Sequence, residues 1–318
     1  MLRPILGLAV LATAALASPA ARACSSCGCT LNADWATQGL AAGRGWRVDA
    51  RYDYFDQSDL RSGTHHVDRA AIALPAEVEV QRTTINRNAT FALEYSPNAN
   101  WGLGALLPAF DRYHTTIGEG DTEVSSSQSR GLGDLRLVAR YAGFAADHSS
   151  GVQFGLKLPT GRFHDRFRSG PLAGEIVDRG LQPGTGTTDL LLGAYRFGAL
   201  ANDWDWFAQG LLQLPLQARD GFRPGNGVNL SAGLRYVANA VLVPQVQVNL
   251  RAEKRESGVN ADVANSGATL AYLSPGVTLN LSRRFAAYAF AQVPVYQRVN
   301  GLQLEPRWSV SVGLHYIF

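Results

Sequence analysis

Beyond its first two dozen residues the chain lacks any apolar run of the ~20 residues that a membrane-crossing helix requires, although 46% of its 318 residues are hydrophobic. A bundle of membrane helices is therefore excluded. Methionine occurs once, and all three cysteines, Cys24, Cys27 and Cys29, fall within six positions of one another, so no cysteine framework staples the remainder. Excess charge of one sign is missing too. The 29 basic and 26 acidic residues leave a net charge of +3, which argues for neither nucleic acid nor an acidic partner. Nearly all of the basic residues are arginine, with Lys157 and Lys254 as the exceptions. Neither the G-x-S-x-G nucleophile turn nor a Walker phosphate loop occurs. His315 beside Ser309 and Ser311 is the nearest approach to a catalytic grouping, and its spacing does not support one. An enzyme is not expected.

What the chain does have is alternation. In the final segment Trp308, Val310, Val312, Leu314, Tyr316 and Phe318 share one face of a strand, while Arg307, Ser309, Ser311, Gly313 and His315 share the other. Near the opposite end Trp46, Val48, Ala50, Tyr52 and Tyr54 alternate with Arg47, Asp49, Arg51 and Asp53. A strand with one apolar and one charged face over such a length fits between lipid and a polar lumen. It does not fit a soluble sandwich core. About twelve such segments can be read, at 46–54, 87–95, 101–111, 131–141, 151–159, 187–197, 204–215, 227–237, 240–251, 268–281, 285–296 and 306–318. A mean hydropathy of -0.07 is compatible with this, because strands hide their hydrophobicity in alternation. The fold expected is all-β: a transmembrane antiparallel up-and-down β-barrel of about 12 strands. The connections alternate between short and long, which matches short periplasmic turns and longer external loops. The long segment 55–86 could hide one more hairpin around Ala70–Leu74 and Val78–Val80.

Residues 1–23 read as a secretory signal, with Arg3, an apolar run from Ile5 to Ala17 and an A-x-A site at Ala21–Ala23. Ala21 and Arg22 fit a lipoprotein signal poorly, although Cys24 would follow the cut. Residues 24–45 are then a periplasmic cysteine-containing segment and 46–318 the barrel. The expected location is the outer membrane of a Gram-negative bacterium with both termini periplasmic. Its expected partners are outer-membrane lipid and the barrel insertion machinery, whose recognition signal a terminal aromatic residue after an alternating strand resembles.

The polar faces define the expected lumen: Arg47, Asp49, Arg51, Asp53, Glu94, Asp134, Arg136, Arg140, Lys157, Asp189, Arg235, Arg251 and Arg307. Their mixed signs point to paired charges bracing the interior, as against a one-sign filter. His65, His66, His114 and His164, the last beside Asp165 and Arg166, fall on long loops, where a surface metal site would need the loops to converge.

Cys24-Ser25-Ser26-Cys27-Gly28-Cys29 carries the most specific chemistry. Three thiols cannot all pair within one chain. C-x-x-C-x-C can converge thiolates on Cu(I) or Zn(II), zinc wanting a fourth ligand, or it can form a local disulfide in an oxidising compartment. No histidine follows the cysteine pair, so c-type haem attachment does not match.

Three blocks resemble a known family. Gly131-Leu132-Gly133-Asp134, Lys157-Leu158-Pro159-Thr160-Gly161 and Pro183-Gly184-Thr185-Gly186-Thr187-Thr188-Asp189 are similar to motifs of the outer-membrane transporters associated with the meta-cleavage pathway of phenol degradation. Tyr272–Gly276 and Val293–Leu304 fit the same picture, and the resemblance covers about 85–318. It implies a barrel that passes small solutes, of apolar or aromatic kind, related distantly to long-chain fatty-acid and aromatic-hydrocarbon channels. No apolar plug comparable to theirs is visible at the amino end. The expected function is an outer-membrane channel or transport-associated protein. The alternative is a barrel-anchored thiol or copper/zinc-binding protein, and a third class is a sealed structural barrel.

Overall fold

The computed structural model describes Leu31, residues 34–40 and residues 44–318. In chain order the strands are β1 (Gly45–Gly63), β2 (His65–His66), β3 (Val80–Ser96), β4 (Trp101–Ile117), β5 (Val124–Leu132), β6 (Leu135–Tyr141) and β7 (Ser150–Leu158). They continue as β8 (Phe167–Ser169), β9 (Asp189–Ala201), β10 (Trp204–Pro215), β11 (Gly227–Tyr236), β12 (Leu242–Glu253), β13 (Ala268–Asn280) and β14 (Phe285–Ile317). Two single 3-10 turns, Arg69–Ala71 and Arg179–Leu181, are the helical elements of the described residues.

Eleven of these strands close an antiparallel ring in the order β1-β14-β13-β12-β11-β10-β9-β7-β6-β4-β3 and back to β1, while β2, β5 and β8 lie outside it. Eleven antiparallel neighbours cannot close a ring, because direction must alternate around it. The parity is restored by β14, whose 33 residues fold back on themselves. Its first part pairs with β13 from Ala286 to Val299, and its second with β1 from Leu302 to Ile317. The two arms meet through Gln292 Nε2 to Ser309 Oγ (2.9 Å) and Ile317 N to Arg284 O (2.8 Å). Gly301 takes φ +63 at the tip, a conformation that glycine adopts without penalty. The barrel is therefore crossed twelve times by eleven continuous strands.

Alternation sorts the side chains as in a membrane barrel. The deeply buried set is largely polar, with Gln57, Asn86, Gln247, Asn249 and Ser274 all at 0% exposure, while Leu93, Leu103, Val248, Val312 and Leu314 are exposed. Aromatic pairs ring the short-turn end: Trp46 with Tyr95 (4.6 Å), Trp101 with Tyr141 (4.9 Å), Trp204 with Tyr236 (5.1 Å) and Tyr316 with Phe318 (4.8 Å). Tyr54 and Trp308 mark the other rim at 5.8 Å. Trp46 and Tyr54 are eight residues apart on β1, or ~26 Å along a strand. That is near the ~25 Å apolar band of outer-membrane barrels. The start of β1 and the last residue meet at the short-turn end, where Phe318 N donates to Trp46 O.

Three expectations change. Residues 70–74 and 78–80 form no hairpin with each other: apart from the two-residue return of β2 onto β1 at Ser62 and His65, β1 and β3 run on instead, because Gln57, Thr84, Asn86 and Gln81 keep the polar inward alternation going beyond the apolar band. Strand β4 likewise runs through 112–117, so His114 is no loop residue but a buried strand residue. Arg307 is exposed, beside a register shift where Gln57 faces Pro306.

Candidate functional site

The interior contains three structures: a knot, a cavity and an inserted turn. The knot forms where the wall position opposite β4 breaks between β5 and β6, and it gathers all three sequence blocks. Lys157 Nζ sits 3.1 Å from Asp134 Oδ2 and 3.1 Å from Asp189 Oδ2 and also donates to Thr185 Oγ1. The Lys157 side chain is 4% exposed and those of its two carboxylates 6% and 0%. Asp134 further accepts from Gly161 N and Thr185 N, each at 3.0 Å, and Asp189 accepts from Thr187 Oγ1 (2.9 Å) and Gln213 Nε2 (2.5 Å). A buried ion pair persists only when its remaining hydrogen-bonding capacity is filled, and here both carboxylates are served. The motif glycines have a matching reason: a Cβ on Gly184 would lie 2.3 Å from Gly161 O, so backbone touches backbone.

The cavity holds about 330 Å³ of the lumen. Five arginines line it, Arg47, Arg51, Arg136, Arg140 and Arg251, against the carboxylates Asp34, Asp49 and Glu94. Most of the arginines carry partners. Arg140 and Arg47 share Glu94 at 2.7 and 3.4 Å. Arg51 bonds Asp53 (2.9 Å), and Arg251 grips Glu253 (2.5 Å) and Asn229 (3.2 Å). Asp49 accepts from Tyr288 Oη (2.9 Å) and lies 3.8 Å from His315. Asp53 also accepts from Ser311 Oγ. Arg235 sits apart from the cavity, 3.8 Å from Asp205 and over the Phe207 ring. His315 is thus part of the lumen wall, not of a catalytic grouping.

The third structure is the turn at 34–40, inside the barrel. Asp34 Oδ1 accepts from Ala36 N (3.1 Å) and Thr37 N (3.2 Å), Leu40 N donates to Trp35 O, and Gly39 closes the turn at φ +76. This is helix-cap chemistry used once, with an aspartate at the start and a left-handed glycine at the end. Trp35 stacks on His315 at 4.3 Å and packs with Leu31, Ala286, Tyr288 and Phe290. Gln153 donates to Asp34 Oδ2 (2.8 Å) and Thr37 Oγ1 donates to Gln209 (3.1 Å), tying the turn to strands β7 and β10. No apolar plug is legible in the sequence here. A single turn is too short to show periodicity, although Asp34 and Gly39 at cap spacing were a usable signal. Of the segment expected in the periplasm, Leu31 and residues 34–40 therefore lie in the lumen. Cys24, Cys27 and Cys29 lie outside the described residues.

At the long-loop end Glu79, Asp178, Glu256 and Asp262 are all buried. Burial pushes the Asp262 carboxyl up to about 6, against the bonds from Asn265 that favour its charged form. Burial, with Glu256 and Asp262 next in strength, pushes Asp178 well above the ordinary aspartate range. His66 Nδ1 sits 2.6 Å from Asp59, His114 bonds Thr84 (2.8 Å) with Glu79 at 3.8 Å, and His164 packs on Phe163. The loop histidines do not converge, and among the described residues no three metal-ligating side chains gather around one point.

No family model matches the chain, and no curated protein matches its sequence. Among solved structures, an outer membrane channel from Pseudomonas putida F1 aligns with a TM-score of 0.64 at 12% identity, covering 91% of this chain and 99% of that one. The β-domain of the Bordetella autotransporter BrkA aligns with a TM-score of 0.52 at 16% identity, covering 87% and 100%. Identities this low speak to fold alone. No family model supports the resemblance to the phenol-pathway transporters, and what the chain shares with the Pseudomonas channel is architecture: it has the closed antiparallel barrel of outer-membrane proteins.

Proposed function

We propose that the chain is an outer-membrane transport barrel that passes small solutes through its lumen, with the turn at 34–40 as the element that narrows the passage. The observation that carries this reading is the cavity of about 330 Å³, walled by strands on one side and by Leu31, Asp34 and Trp35 on the other. A barrel serving only as an anchor has no need of an interior lined with partly matched charge. The apolar outer face and its aromatic rims suit a bilayer. Bacterial barrels put short turns in the periplasm, which sends the long loops outward, leaves both ends of the strand array periplasmic and has the inserted turn enter from that side. An apolar or aromatic solute, which the family resemblance implies, would meet five arginines on this route, so the lining favours solutes that carry a polar or charged group.

Conductance across planar bilayers tests the proposal. The full-length protein should give small, discrete conductance steps, and a variant lacking residues 31–40 should give larger ones. No conductance from either, with both shown to be folded by heat-modifiable electrophoretic migration, would refute transport through the lumen.

A further inference from the structure

Among the lumen arginines of the described residues, Arg136 is different. Arg51 and Arg251 each hold a carboxylate two residues farther along their own strand, Asp53 and Glu253. The residue in the corresponding direction from Arg136 is Val138, and the carboxylate two residues back, Asp134, belongs to the knot. Directly across the strand pair stands Lys157, which holds both Asp134 and Asp189. Arg136 thus lines the cavity with no hydrogen bond or ion pair to the described protein, and the nearest cations add to its charge: Arg251 and Arg51 act on it as well as Asp189 and Asp134. Strands β1, β6 and β12 lie on different sides of the ring, so Arg51, Arg136 and Arg251 reach inward from three directions.

A guanidinium half-withdrawn from water that holds no ion pair of its own has most to gain when an anion arrives. Planar guanidinium matches carboxylate geometry in particular, through paired N–H donors. The same cavity also carries apolar wall, Leu106, Val138, Leu191 and Leu211, beside neutral polar residues such as Gln153, Gln209 and Asn229. We infer that this is a solute-binding site for small organic carboxylates, the carboxylate held by Arg136 under the field of Arg51 and Arg251, and the apolar body laid against those four side chains. The inference rests on the transport reading and names the solute class it would carry. Inorganic anions satisfy the guanidinium but leave the apolar wall unused, and neutral analogues do the reverse.

Titration calorimetry on the full chain in detergent, with sodium benzoate as probe and benzamide and inorganic phosphate as comparisons, decides it. Benzoate should bind at least about tenfold more tightly than either comparison, and Arg136→Gln should weaken it by at least about tenfold, in line with the loss of a charge-assisted hydrogen bond. Arg136→Lys should retain part of the affinity, and Arg136→Met replaces Arg136→Gln if the latter does not fold. Equal benzoate binding by wild type and variant, phosphate as tight as benzoate, or no benzoate binding at all would each overturn the site. Because binding is scored without flux, the two readings fail separately: conductance without benzoate binding removes this site alone, and binding without conductance in any variant removes transport alone.

Discussion

Lys157 and Arg136 face each other in register on adjacent strands, and their surroundings are opposite. Lys157 is held by two buried carboxylates and a threonine, each of which is saturated by backbone or side-chain donors. Arg136, one strand away, has none of these. The same charge thus serves as structure in one case and faces solute in the other, and the difference lies in which cation the three sequence blocks enclose.

The contrast breaks most sharply at Lys157. Lys157→Met would leave Asp134 and Asp189 buried without a counter-ion, a change that costs about 3–5 kcal/mol when one partner of a buried pair is removed. Urea unfolding in micelles, followed by heat-modifiable migration, should show the loss, whereas Arg136→Met should unfold close to wild type. Equal stability of the two variants would dissolve the distinction.

A smaller break targets the glycines that let the knot close. Gly184→Ala places a methyl 2.3 Å from the Gly161 carbonyl oxygen, which is backbone and cannot rotate away. Overpacking of this kind costs about 1–3 kcal/mol, measurable as a lower unfolding midpoint, and Gly227→Ala, whose Cβ would meet nothing nearer than Gln213 Cβ at 4.0 Å, is the control for an added methyl as such.

Trp35→Ala sharpens the comparison from the cavity side. It removes the stack on His315 and the contacts with Tyr288 and Phe290, which hold the inserted turn against the wall. Single-channel conductance should rise severalfold while the unfolding midpoint moves little, since neither the knot nor the strand ladder is touched. An unchanged conductance would mean the turn does not limit the passage.

Much of this was legible in the sequence, for physical reasons that also fix where legibility ended. Strand alternation has period two, so Arg47, Asp49 and Arg51 on β1 and Arg136 and Arg140 on β6 could be assigned to the lumen by parity alone. The glycine and proline blocks could be recognised as motifs. Their convergence could not, because Asp134, Lys157, Thr185 and Asp189 meet only after β5 leaves the ring and the loop ahead of β9 returns to it. Strand ends were short by up to nine residues at 55–63, since Gln57 and Asp59 face other polar groups above the apolar band and apolar patterning stops at the band's edge. The turn at 34–40 escaped because one turn has no period, and the pairing state of each lumen charge escaped because parity gives direction and not distance.

The smallest effect is expected where neither cation reaches, in the long-loop end. Asp262 is pushed up to about 6 by burial, from an ordinary 3.8, and Asp178 shifts in the same direction under burial and the nearby Glu256 and Asp262. A carboxyl whose folded value is raised favours the folded loop in its neutral form. The stabilisation is complete below about 3.8 and is lost as pH rises through about 6. Hydrogen exchange of residues 256–266, corrected for intrinsic rates, should therefore show more protection at pH 5 than at pH 8. Asp262→Asn, which keeps a neutral side chain able to accept from Asn265, should raise protection at pH 8 toward the acid level and flatten the slope. If the slope survives in that variant, the charge penalty lies with Asp178, and Asp178→Asn should remove it instead.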